Sequence, residues 1–168
     1  SFNALSKHII RHKLLTVLRN TGGTKKCCTA QSTDHRFHFI IIPNYNHTIK
    51  LAELIAKLAA FKLPVIMIND GSSEAASKIF FELTEKFSYL TLIEHQKNQG
   101  KGGAVQTGLK AAKEQGYSHA LQVDADGQHD LNDVEKLLTE SKKHPASLIS
   151  GKPIYDESVP KHRYYARN

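Results

Sequence analysis

Cysteine is scarce in this chain of 168 residues: Cys27 and Cys28 are the only two, and they are adjacent. Neighbouring cysteines rarely bridge each other, and no second pair exists to complete a zinc site. Both therefore read as reduced thiols in a loop. Long apolar runs are missing as well. No stretch approaches the roughly 18 apolar residues of a membrane-spanning helix. Basic side chains interrupt the apolar ones throughout the first twenty residues, which argues against a secretory signal. A cytoplasmic location is the expectation that follows. A one-signed charge over the body of the chain is also lacking, although the net charge is +7. Residues 1–36 hold seven Lys/Arg against Asp34 and carry +6, whereas residues 37–168 hold sixteen Lys/Arg and fifteen Asp/Glu and carry +1. A nucleic-acid-binding domain needs cations clustered on the domain itself, so no nucleic-acid partner is expected.

What is present is an ordinary globular composition, 40% apolar and 23% charged, in a length that suits one domain with a core. Residues 2–19 read as a basic amphipathic helix, with Phe2, Leu5, Ile9, Leu14, Val17 and Leu18 apolar and Lys7, Arg11, Lys13 and Arg19 charged. Such a helix can lie on an anionic membrane surface or pack on the domain. Residues 20–36 are polar and read as a linker. From residue 37 a domain begins. Apolar runs at Phe37–Ile42, Val65–Ile68, Tyr89–Ile93, His119–Val123 and Ala146–Ser150 read as strands. Helical spacing marks 48–60, 73–87, 103–115 and 131–142, with Asp130 as a candidate cap for the last. Strict strand–helix alternation predicts an α/β fold: a mainly parallel sheet flanked by helices. Ligands bind such sheets at the carboxyl ends of the strands, so chemistry belongs in the loops that follow them.

Four of those loops carry suitable residues. After the fourth strand comes Asp124-Ala125-Asp126-Gly127-Gln128-His129. Two carboxylates two residues apart can reach one hard cation, Mg²⁺ or Mn²⁺, which would neutralise a diphosphate leaving group. An EF-hand is excluded because its third ligand position and terminal Glu are missing. After the second strand, Asn69-Asp70-Gly71-Ser72-Ser73 offers a carboxylate that could accept an N–H of uracil or guanine. Ahead of the third helix, Asn98-Gln99-Gly100-Lys101-Gly102-Gly103 places a lysine and flexible backbone where an anion is favoured. It is neither a P-loop nor a dinucleotide fingerprint. After the first strand, Pro43-Asn44-Tyr45-Asn46 puts an aromatic ring where it can wall a base pocket. Each is an unremarkable turn when taken alone. Their joint placement on one sheet edge is what points to a ligand site.

The ordered set Pro-x-Tyr-Asn, Asp-Gly-Ser, Asn-x-Gly-Lys-Gly and Asp-Ala-Asp-Gly-Gln-His resembles the family 2 glycosyltransferases, in the dolichyl-phosphate mannose synthase-like branch. The segment Gly151–Asp156 with Pro160 and Arg163 is similar to bacterial members, and the likeness covers about residues 37–168. The resemblance implies a GT-A fold, a nucleotide-diphosphate sugar donor and inverting transfer. It implies that Pro43, Tyr45 and Asp70 line the nucleoside pocket and that Lys101 approaches the nucleotide. Asp124 and Asp126 would hold Mn²⁺ or Mg²⁺ and the diphosphate, and Gln128 and His129 would sit beside the donor sugar. The catalytic set implied is Asp124, Asp126 and His129. The acceptor expected is a lipid-linked one such as a polyprenyl phosphate, at the inner membrane face, with residues 1–20 as a peripheral contact. The domain is expected to be incomplete at its C-terminus, where members of the family continue, and Asp156 and Glu157 are weak candidates for a general base. Two other readings compete. A sugar-nucleotide nucleotidyltransferase would carry a Gly-rich basic loop after its first strand, where this chain has Pro43–Asn46. A non-catalytic nucleotide-binding or interaction module would lack metal-dependent donor hydrolysis.

Overall fold

The computed structural model describes residues 16–19 and 38–151. In chain order the elements are β1 (Thr16–Arg19), β2 (His38–Asn44), α1 (Leu51–Leu58) with a 3₁₀ turn at Ala59–Phe61, β3 (Val65–Asp70), α2 (Glu74–Lys86), β4 (Leu90–His95), α3 (Gly100–Glu114), β5 (His119–Gln122), α4 (Asn132–Lys143) and β6 (Ile149–Ser150). They form one six-stranded sheet in the order β4-β3-β2-β5-β1-β6. The four central strands β4, β3, β2 and β5 are mutually parallel, as the alternation of elements requires.

The strand sequences explain their central position. Every side chain of Val65–Asp70 is buried, and so are Phe39–Ile42 in β2. Period-two alternation sends them into two layers. Ile40, Ile42, Val65, Met67 and Leu121 face one side, against Leu51, Ile55 and Leu58 of α1, Phe80 and Leu83 of α2, and Val134, Leu137 and Leu138 of α4. Phe39, Ile41, Ile66, Ile68 and Ala120 face the other, against Ala104 and Ala112 of α3. The single helix on that side seats close to the sheet. A Cβ on Gly108 would lie 2.8 Å from Ile41 Cδ1 and Ile68 Cδ1, so only glycine admits this approach.

One expectation is corrected. The helix predicted over residues 2–19 does not include Thr16–Arg19, which form strand β1, antiparallel to both β5 and β6. Without β1 the outer edge of β5 would present unpaired N–H and C=O groups. Satisfying them outweighs the helical pattern of apolar residues, a tertiary override of local preference. The rest of that helix, the linker 20–36 with its two cysteines, and residues 152–168, including Asp156, Glu157, Pro160 and Arg163, lie outside the described residues. None of the helices among the described residues is long and apolar enough to cross a membrane.

The chain order builds the site. From β2 the chain runs outward through β3 to β4, then returns to place β5 on the opposite side of β2. The reversal opens a crevice between the carboxyl ends of β2 and β5, the place where open α/β sheets bind ligands.

Candidate active site

A cleft of about 260 Å³ occupies that crevice. Pro43, Tyr45, Asp70, Lys101, Asp124 and Asp126 all line it. They come from the loops after β2, β3, β4 and β5. Gln128 and His129 are not on its wall: Gln128 is exposed on the turn, and the His129 side chain is wholly buried behind Asp124. Its Nε2 lies 3.9 Å from Asp124 Oδ2, too far for a hydrogen bond.

Asparagines brace the loops, and sequence reading missed them. Asn44 is buried at the end of β2, donates to the His47 carbonyl at 2.9 Å and accepts the His47 N–H at 3.0 Å, closing the turn that carries Tyr45. Asn46 ties that turn to the next. Its N–H donates to Ser72 Oγ at 2.9 Å and its Oδ1 accepts the Ser73 N–H at 2.8 Å. Asn69, also buried, accepts the Ser72 N–H and donates to Ser77 Oγ and Glu94 Oε1. An amide carries both donors and an acceptor, so each of these residues can bridge two chain segments. The pattern Asn44-x-Asn46 is visible in the sequence, but the partners are 26 or 27 residues away.

Asp70 is 2% exposed, and its Oδ1 is fully engaged. It accepts the Gln99 N–H at 2.8 Å and His95 Nδ1–H at 2.7 Å. His95 is held in turn by Thr107 Oγ1 at 2.9 Å from its Nε2. Burial by itself would raise the carboxyl, but the Gln99 N–H, the hydrogen bond and charge of His95, and the Gly100 N–H outweigh it and hold Asp70 below the ordinary aspartate range. The two loops also touch directly. Gly71 has φ +70°, and a Cβ there would lie 2.5 Å from the Asn98 backbone nitrogen.

On the other wall, Lys101 in the first turn of α3 reaches across to Asp124, with Nζ 2.6 Å from Oδ1. Gln122 Nε2 donates to the same oxygen at 3.3 Å. Asp126 Oδ1 accepts the Gln128 N–H at 3.1 Å, with Gly127 at φ +65° turning the chain.

This sheet order and these loops coincide with a match to the profile of glycosyl transferase family 2 over residues 39–168. The chain belongs to that family. It is 28% identical over 153 residues to a dolichyl-phosphate beta-glucosyltransferase of Dictyostelium discoideum, a match spanning 80% of this chain and 46% of the relative. It is 34% identical over 113 residues to a UDP-N-acetylglucosamine–dolichyl-phosphate N-acetylglucosaminyltransferase of Methanococcus voltae, spanning 60% of this chain and 45% of the relative. A mannosyltransferase from Pyrobaculum calidifontis, solved with GDP-Man and Mn²⁺, superposes with TM-score 0.46 and 22% identity over 54% of this chain and 27% of that one. The chain thus spans about half the length of the curated relatives it matches.

In this family 2 domain the donor set at the cleft suits a cation held chiefly by a ligand's phosphates. Asp124 and Asp126 are two carboxylates on one turn, and among the described residues no cluster of three or more His, Cys, Asp or Glu forms an all-protein cage. Mg²⁺ and Mn²⁺ sites of the phosphate-binding kind use one or two carboxylates, with phosphate oxygens and water completing the shell.

Proposed function

We propose that this chain is the donor-binding part of a metal-dependent glycosyltransferase. It takes a UDP- or GDP-sugar and transfers the sugar to an acceptor, for which a polyprenyl phosphate is the favoured class. The observation that carries this reading is the convergence of Tyr45, Asp70, Lys101, Asp124 and Asp126, from four separate loops, on one cleft at the switch point of the sheet. Tyr45, half exposed at the mouth, offers a face for the base, and Asp70 accepts a base N–H. The α3 N-terminus and Lys101 favour the diphosphate. A divalent ion held by Asp124 and Asp126 would stabilise the charge on the departing nucleoside diphosphate. In transfer, an acceptor oxygen bonds to the anomeric carbon. The bond from that carbon to the β-phosphate oxygen breaks, and its electron pair leaves with the diphosphate. A phosphate acceptor is already ionised at neutral pH and needs no general base. Two relatives named for dolichyl-phosphate acceptors support that choice. His129, buried behind Asp124, is assigned to orienting that turn.

The test is thermal unfolding with UDP or GDP, each with and without Mn²⁺, on the native chain and on Asp124→Ala/Asp126→Ala. A ligand at a hundred times its Kd stabilises by roughly 2.7 kcal/mol. A metal-dependent rise in Tm that disappears in the double variant is expected. A cooperative melt unmoved by either nucleotide would favour a non-catalytic module instead.

A further inference from the structure

Resting on the donor-site reading above, we infer that the cleft selects uridine over guanosine nucleotides, and that His95 is the residue that imposes the choice. The argument is a count of lone pairs on Asp70. A carboxylate offers two oxygens with about four acceptor sites between them. Oδ1 has spent both of its own, on the Gln99 N–H at 2.8 Å and on His95 Nδ1–H at 2.7 Å. The oxygen left to a ligand is Oδ2, to which no side chain donates among the described residues. Guanine presents two adjacent donors, N1–H and the exocyclic N2–H, a pair that matches both oxygens of a carboxylate. Uracil presents one, N3–H. With Oδ1 filled, uracil is satisfied completely, whereas guanine brings a second donor to an oxygen that has no room for it. A buried donor left without a partner loses its hydration and gains nothing in return.

Two features show that the filled oxygen is built in. The His95 and Asp70 side chains are 7% and 3% exposed, so water cannot readily substitute for either. His95 is also fixed from its far side by Thr107 Oγ1 at 2.9 Å, which sets the ring so that Nδ1–H points at the carboxylate. The Gln99 N–H belongs to the backbone ahead of α3 and cannot be withdrawn without moving the phosphate-side loop. Removal of the His95 donor is therefore the change that reopens a site on Oδ1.

The experiment is isothermal titration of the full chain with UDP and with GDP, each with Mn²⁺, on the native protein, His95→Leu and His95→Asn. The native chain is expected to bind UDP about tenfold or more tightly than GDP. His95→Leu is expected to narrow that ratio by gaining GDP affinity. His95→Asn, whose amide N–H takes the place of Nδ1–H, is expected to keep the preference, which a purely structural role for the ring would not produce. Should His95→Leu fail to fold, Thr107→Val replaces it and is expected to narrow the ratio by loosening the ring. GDP binding as tightly as UDP to the native chain, or an undiminished UDP preference in a folded variant without the donor, would overturn the inference and leave the donor-site reading standing. No binding of either nucleotide would overturn both.

Discussion

Asp70 and Asp124 face the same cleft, but their surroundings hold them by different means, and the difference is measurable. Asp70 is buried and kept ionised by N–H groups and His95. Its folded-state titration lies below that of the unfolded chain, so the unfolded chain binds the extra proton in the interval between them. The resulting stability is present above the ordinary aspartate value of 3.8 and is lost as pH falls through the lower folded value. Asp70→Asn is expected to destabilise the chain at pH 7, and the gap from the native protein should shrink on acidification below that value. Urea melts across pH 2–7 would check this. A gap of constant size would mean that Asp70 acts by packing alone. Asp124, by contrast, meets a lysine whose side chain is 58% exposed. An ion pair to so exposed a partner is worth at most about 1 kcal/mol. Lys101→Met is therefore expected to leave Tm almost unchanged while weakening UDP–Mn²⁺ binding severalfold in titration. A large drop in Tm with unaltered binding would contradict the assignment.

Among the elements, α3 departs furthest from local preference. Helical spacing places its start at residue 103, yet it begins at Gly100, before three glycines that are poor helix formers. Tertiary groups cap it: the Gln99 N–H goes to Asp70 and the Gly100 N–H to Asn98 Oδ1 at 3.0 Å. Along the same helix Ala104, Gly108 and Ala112 recur every fourth residue and are buried against the sheet. Gly108→Val should force Ile41 and Ile68 out of position and cost about 1–3 kcal/mol, read as a lower midpoint in urea. An unchanged midpoint would mean that α3 can lift from the sheet without loss. The other helices show where apolar periodicity misleads. Ile79, expected inward on α2, is 39% exposed, and Ile49, expected in α1, is 83% exposed because Lys50 takes a left-handed φ of 63° and the helix starts only at Leu51. The first turn of α4 behaves similarly. Asp130 accepts the Asn132 N–H at 3.0 Å, one position earlier than a standard cap, because Leu131 intervenes.

For the molecule as a whole, β1 has consequences for the N-terminal segment. It supplies the neighbour of both β5 and β6, so deleting residues 1–20 should strip an edge from the strand that delivers Asp124. A fall in Tm of several degrees is expected, at roughly 2–4 °C per kcal/mol for a chain of this size. Liposome sedimentation of the same deletion, with anionic vesicles, tests the membrane contact proposed for the basic residues that precede β1. Unchanged sedimentation would count against that contact without touching the role of β1.

Much of the architecture was legible in the residues themselves. Continuous Ile and Val runs with no polar face can only be strands covered on both sides, and their alternation with amphipathic helices leaves little besides a parallel sheet. From that topology the cleft residues Tyr45, Asp70, Lys101, Asp124 and Asp126 could be named in advance, because the loops after parallel strands all emerge at one edge. What the sequence could not disclose depends on partners far along the chain. A histidine at the end of β4 has no local reason to clamp Asp70, 25 residues earlier. Thr16–Arg19 have no local reason to be a strand until β5 presents its unpaired edge. Those assignments are made by hydrogen-bond donors and acceptors that must be satisfied once buried, and only the tertiary structure brings them together.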